Sequence, residues 1–200
     1  MLVFFLYNNK NNIYNIFAIA MGVGEPCQDR EVAALNWAYM CGGFCLGDHM
    51  TREEKYIKLA LKEAQKALLK DEVPIGCVIV KDDKIIAKGH NLRETKKSVI
   101  KHAEIVAIEK ACKKLGSWRL VDCEIYVTLE PCAMCAGAIY QARIAKVIYG
   151  ADDLKGGALG GNFNLYEQKL NHYPEVVKGV LKKECSSIIS NYFKTKRNNK

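Results

Sequence analysis

The 150 residues that follow Met50 predict an α/β fold of three layers, α/β/α, with a central mixed five-stranded sheet. Three observations lead there. Segments with apolar residues at helical spacing alternate with short β-branched runs, in the order α-β-β-α-β-α-β-β-α. That order implies helices packed on a mixed sheet. A stretch of this length suffices to bury one good core.

Each element has its own signal. Ile57, Ala60, Leu61, Ala64, Ala67 and Leu68 fall at helical spacing and predict an amphipathic helix over 52–69, opened by a capping box from Thr51 to Glu54 and stopped by Pro74. Ile75 to Val80 and Ile85 to Ala87 flank the turn-like Lys81-Asp82-Asp83-Lys84 and read as a β-hairpin. The polar stretch 91–101 reads as a loop. A second helix follows over 102–115, with Ile105, Val106, Ile108 and Cys112 inward and Gly116 closing it. A strand over 124–129, a helix over 132–141 and a strand over 147–149 come next. The glycine-rich loop 152–162 leads to a strand over 176–180, and a last helix over 182–193 ends in a basic tail.

Residues 1–49 lack this patterning. Leu2 to Leu6 and Ile13 to Val23 are apolar but separated by the Asn-rich run 8–12 and interrupted at Asn15. Neither approaches the roughly 20 apolar residues that a membrane span requires. The expectation is that Met50 is the natural start, and that residues 1–49 are translated upstream sequence, non-native and disordered, ahead of a domain at 50–200. Cys41, Cys45 and His49 have zinc-like spacing but no fourth ligand other than distant Cys27, so no metal site is expected there.

Composition is that of an ordinary globular protein, 50% hydrophobic and 26% charged. The formal net charge is +8, and because residues 1–50 carry −2 the remainder carries +10. Such an excess biases a domain towards polyanions, although a basic soluble protein of any function would share it. The nine cysteines show no disulfide-like regularity beyond residue 50. A reducing cytoplasmic setting follows, in which clustered Cys and His mean metal more often than disulfide. Cys77, Cys112, Cys123 and Cys185 read as core or near-core residues.

The chemistry concentrates in His102-Ala103-Glu104 and Pro131-Cys132-Ala133-Met134-Cys135, with 29 residues between His102 and Cys132. Cys132 and Cys135, at i and i+3 of a helix start, project from one side. A helix N-terminus favours thiolate, the ligating form. With His102 they make three zinc ligands of tetrahedral type and leave the fourth position for water, as a catalytic site requires. A redox pair would have no use for His-x-Glu at the preceding helix, and a structural zinc site would need a fourth ligand. Glu104 is then the general acid/base. Zinc lowers the pKa of bound water towards about 7, and Glu104 would take the water proton, then protonate the ring nitrogen and the departing amine. The whole pattern is that of zinc deaminases of nucleobases.

Flanking residues narrow the class. The run Val127-Thr128-Leu129-Glu130-Pro131-Cys132-Ala133-Met134-Cys135-Ala136-Gly137-Ala138-Ile139 resembles the bacterial tRNA-specific adenosine deaminase family nearly letter for letter. So do Glu72-Val73-Pro74-Ile75-Gly76, Gly150-Ala151-Asp152-Asp153-Leu154-Lys155-Gly156-Gly157, and Asn171-His172 ahead of Val177-Lys178-Gly179-Val180. The resemblance spans 51–200 and none of 1–49. It implies a cytidine deaminase-like fold, a homodimer, one Zn2+ per subunit, and hydrolytic deamination of the wobble adenosine in an arginine tRNA. It also implies that Asn91 hydrogen-bonds the purine, Val73 and Leu129 wall the base, Asp153 lies near the ribose, and Asn171 with His172 contacts the anticodon loop. Read from the residues alone, Asn91 is equally a loop cap and Asp153 equally a turn residue. Asn162-Phe163-Asn164 departs from the Ser-Leu-Met-like stretch usual in the family, which puts anticodon-loop contacts there in doubt.

The glycines around Ala158 either admit a phosphate to the backbone or make a flexible loop. Lys182, Lys183, Lys194, Lys196, Arg197 and Lys200 put positive charge near the C-terminus. Lys194, Lys196 and Arg197 are candidate contacts to tRNA phosphates, against the plainer reading of a solvated helix face. The competing functions are a free-base deaminase for guanine or cytosine with the same zinc chemistry, and a catalytically dead RNA-binding or structural zinc protein. An intact Glu104 argues against the latter.

Overall fold

In the computed structural model, residues 50–198 are described, and helix α1 (Arg52–Leu68) opens them where the capping box predicts. Thr51 Oγ1 accepts from the Glu54 N–H at 3.2 Å while the Glu54 carboxylate accepts from the Thr51 N–H at 2.9 Å. The helix ends before Pro74 acts on it. The chain turns through Leu69 to Glu72, with Asp71 at positive φ and the Glu72 N–H returning to Ala67 O. The readings made for residues 1–49, including Cys41, Cys45 and His49, lie outside the described residues, as does Lys200.

Strands β1 (Gly76–Lys81) and β2 (Lys84–His90) form the hairpin, with β2 longer than its apolar residues foretell. Its extra residues, Lys88, Gly89 and His90, pair with Val78, Cys77 and Gly76, since backbone pairing continues regardless of side-chain polarity. The segment 91–101 is not all loop. A one-turn helix, α2 (Arg93–Lys96), forms there because the buried Glu72 carboxylate accepts the N–H groups of Glu94 and Thr95 at 3.2 and 2.7 Å. Helix α3 (Ala103–Leu115), strand β3 (Glu124–Leu129), helix α4 (Ala133–Gln141), strand β4 (Lys146–Ala151), a 3-10 turn (Leu165–Glu167), strand β5 (Glu175–Lys178) and helix α5 (Lys182–Asn198) complete the order.

The sheet runs β2-β1-β3-β4-β5. β1 is antiparallel to β2 and β3, while β3, β4 and β5 are parallel, so the sheet is mixed and five-stranded as expected. Alternation along the strands separates two cores. Val78, Val80, Tyr126 and Ile148 face Tyr56, Ile57 and Ala60 of α1 and Cys185 of α5. Cys77, Ile79, Ile125, Val127, Val147 and Tyr149 face α3 and α4. Among the described residues no helix is long and apolar enough to cross a membrane.

Glycines in β1 and β2 set how closely the helices approach. A Cβ at Gly76 would lie 2.5 Å from Ala64 N and nearer still to Ala60 O, and one at Gly89 would collide with Ala103 O and lie 2.8 Å from Ala107 N. The inward face expected for α3 is extended by alanines: Ala103, Ala107 and Ala111 are fully buried beside Val106, with Ala103 and Ala107 against Gly89, while Ile108 and Cys112 are half-buried and pack against the same core and Ile105 is half-buried. Gly76→Ala is expected to lower unfolding free energy by about 1–3 kcal/mol, the range for overpacking a filled core. An unchanged melting curve would show that α1 can move off β1 freely.

The last helix also differs from expectation. Lys194, Lys196 and Arg197 belong to α5 and not to a tail. Nothing between Asn191 and Asn198 breaks a helix, and Tyr192 donates to Asp71 O at 3.2 Å while Lys196 pairs with the Asp71 carboxylate at 2.5 Å.

Candidate active site

His102 and Cys132 occupy equivalent places, each the N-cap of a helix on the same face of the sheet, with extended backbone angles. The extended cap turns each side chain away from its own helix. Cys135, one turn into α4, is fully buried. The three ligand atoms converge: His102 Nδ1 lies 3.7 Å from Cys132 Sγ and 3.6 Å from Cys135 Sγ, and all three atoms fall within 4.8 Å of one another. Zinc bonds of about 2.3 Å to sulfur and 2.0 Å to nitrogen at tetrahedral angles separate S and N by about 3.5 Å, so the donor set fits that ion. Without an ion, Cys135 and His102 beside it hold the Cys132 thiol well below the usual range, the hydrogen bond to Cys132 and burial push the Cys135 thiol up, and the hydrogen bond to Cys132 raises His102.

Glu104, in the first turn of α3, is 4% exposed, and burial pushes its carboxyl up to about 7. Its Oε2 and the Oδ1 of Asn91 are the two buried side-chain oxygens without a partner among the described residues. Buried polar atoms are normally hydrogen-bonded, and exceptions concentrate where a ligand completes the set. Asn91 itself is anchored by its N–H to Ile75 O at 3.1 Å. The preceding His90 is anchored too. Burial lowers its pKa below the usual imidazole value, with Nδ1 3.2 Å from Glu63 Oε2 and Nε2 3.1 Å from Lys70 Nζ. Val73, three residues before β1, and Leu129, the last residue of β3, are half-buried.

Other expected residues are engaged elsewhere. Asp153 Oδ1 accepts from the Lys155 and Gly156 N–H groups at 3.0 and 3.1 Å, the turn arrangement that its residue type allows. Asn171 Oδ1 accepts from Arg143 at 2.7 Å, and His172 Nε2 lies 2.7 Å from Ile144 O. Both therefore fasten the approach to β5 onto the turn after α4, at the opposite end of that helix from Cys132. A nine-residue helix spans about 13 Å. Lys194 and Arg197 are exposed on α5, and Lys196 is occupied by Asp71. Residue-by-residue reading missed Glu72 and Glu130, both buried carboxylates that accept backbone N–H groups. The available signal was a charged residue with no local partner, set against an apolar run.

The chain has well-matched relatives. Residues 51–197 match the MafB19-like deaminase family. The tRNA-specific adenosine deaminase of Bacillus subtilis (strain 168) is 53% identical over 152 residues, 76% of this chain and 94% of that protein. The protein of the same description from Streptococcus pyogenes serotype M1 is 47% identical over 146 residues, 72% of this chain and 85% of its own length. A solved structure from a study of A-to-I editing by tRNA:A34 deaminases superposes with a TM-score of 0.64 at 44% identity, covering 67% of this chain and 98% of the other. The observed sheet order is the cytidine deaminase-like arrangement expected from the resemblance. With identity near one half across nearly the whole of such relatives, the chain belongs to the tRNA-specific adenosine deaminase family, within the MafB19-like deaminases.

Proposed function

We propose that the protein hydrolyses the wobble adenosine of a transfer RNA to inosine, in an arginine tRNA, and that residues 50–200 carry the activity. The observation that carries the reading is a His/Cys/Cys donor set beside a buried carboxylate with one oxygen left without a partner, in a chain about half identical to tRNA-specific adenosine deaminases. His102, Cys132 and Cys135 hold a zinc ion. Zinc in such a site supplies Lewis acidity that makes water a nucleophile near neutral pH. Glu104 accepts the proton of that water and returns protons to the purine ring nitrogen and to the amino group, which departs as ammonia while a C–O bond replaces the C–N bond. Its place off the donor set suits a proton carrier.

Asn91 is assigned to the purine through its Oδ1, with Val73 and Leu129 as the apolar walls and Asp153 near the ribose. Asn171 and His172 are assigned to the anticodon loop, and Lys194 and Arg197 to phosphates, which position RNA without reading its bases. Lys196 joins them only by exchanging its ion pair with Asp71. A homodimer and a cytoplasmic setting complete the reading. The test compares inosine formation in an anticodon stem-loop with ammonia release from free guanine and cytosine. Inosine in the stem-loop is expected, and ammonia from a free base without inosine in RNA would replace this reading with that of a free-base deaminase.

A further inference from the structure

We propose that Glu130 is a positioning residue for catalysis, an internal anion around which the glycine-rich loop 153–161 is wound so that the loop, with Asp153 at its start, is held against the candidate zinc site. Glu130 follows Leu129 at the end of β3 and is 3% exposed. Its Oε2 accepts from the Asp153 N–H at 2.9 Å, and its Oε1 accepts from the N–H groups of Leu159 and Gly161, each at 2.8 Å. Among the described residues no cation pairs with it. Three backbone amides from both ends of one loop therefore surround a buried carboxylate, the arrangement by which backbone nests hold anions.

The glycines follow from this arrangement. A Cβ at Gly157 would lie 2.5 Å from both Glu130 Oε2 and Asp153 O, and one at Gly161 would collide with Glu130 Oε2 and lie 2.5 Å from Asp153 O. Gly157 and Gly161 let the backbone close on the protein's own carboxylate. The two readings left open for this loop, a phosphate cradle or a flexible connection, both give way, because its inward amides are already used and its path is determined by them.

The same loop is bonded to the candidate zinc site. Gly157 forms a β-bridge with Cys132, and the Ala158 N–H donates to Pro131 O at 2.9 Å. Asp153 supplies one of the amides that Glu130 receives. A change at Glu130 thus moves Asp153 and the rest of the loop as a unit, while His102 and Cys135, held by α3 and α4, stay in place. The consequence for RNA rests on the proposed function, through the assignment of Asp153 to the ribose.

Glu130→Gln tests this on the full chain, since an amide keeps the shape but turns donors towards amide donors. Expected are near-normal zinc content, faster hydrogen exchange at the Asp153, Leu159 and Gly161 amides, and a rise on the order of tenfold or more in KM and in the Kd of the inosine-containing product stem-loop, with a smaller change in kcat. Glu130→Asp, which keeps the anion one methylene short, is expected to fall between the two in every readout, and serves if the Gln variant does not fold. Unchanged exchange at the three amides would overturn the proposal. So would faster exchange with unaltered KM and Kd, which would leave Glu130 a stabilising residue only, and so would loss of zinc in proportion to activity. Failure of the functional reading appears separately, as wild-type protein that forms no inosine in RNA, and amide exchange still reports on the loop in that case.

Discussion

Glu104→Gln is expected to keep its zinc and its fold while turnover at saturating RNA falls by about 10²- to 10⁴-fold, the contribution typical of a general acid–base group. The structural basis is a carboxylate 4% exposed, with Oε2 unpartnered and its pKa raised by burial. Glutamine fills the same volume but can neither accept the water proton nor carry it to the leaving amine. Replacing a buried carboxylate that lacks a partner also removes a desolvation penalty, so the melting temperature is expected to hold or rise. Zinc content, a thermal melt and single-turnover inosine formation separate the effects. Near-normal turnover in the zinc-loaded variant would remove Glu104 from the role of proton carrier.

Cys132→Ala and His102→Ala are expected to lose both metal and activity, because two donors cannot hold zinc as three can. Stability should fall as well, since metal binding to the folded site contributes to folding free energy. Cys132 is the more informative of the two. Its backbone is bridged to Gly157 while its sulfur lies 3.7 Å from His102 Nδ1, so removing the sulfur leaves the loop hydrogen bonds in place. Loss of zinc with unchanged exchange at the loop amides is the expected signature. Full zinc stoichiometry in either variant would contradict the ligand assignment.

Much of this protein is legible in its sequence because the relevant signals are local. The Thr51–Glu54 capping box starts α1 at Arg52, short apolar runs mark β3 and β4, and Cys132 and Cys135 share a side because they are i and i+3 at a helix start. His-x-Glu and Pro-Cys-x-x-Cys name the chemistry without coordinates, since zinc and a proton carrier need those groups in a particular number and type. Spacing within an element is a property of the chain alone. What the sequence leaves undecided are quantities that depend on residues far apart along it. That His102 Nδ1 lies within 3.7 Å of two thiols is set by two helices docking on one sheet. The burial of Ala103 and Ala107 follows from how closely Gly89 lets α3 approach, and the ion pair of Lys196 on α5 is with Asp71 in the turn after α1. The glycine-rich loop gives the clearest case. Its composition permits a flexible loop or a phosphate cradle equally, and Glu130, adjacent only after folding, takes the Asp153, Leu159 and Gly161 amides for itself, because a carboxylate taken from water must find donors and the nearest are that loop's own.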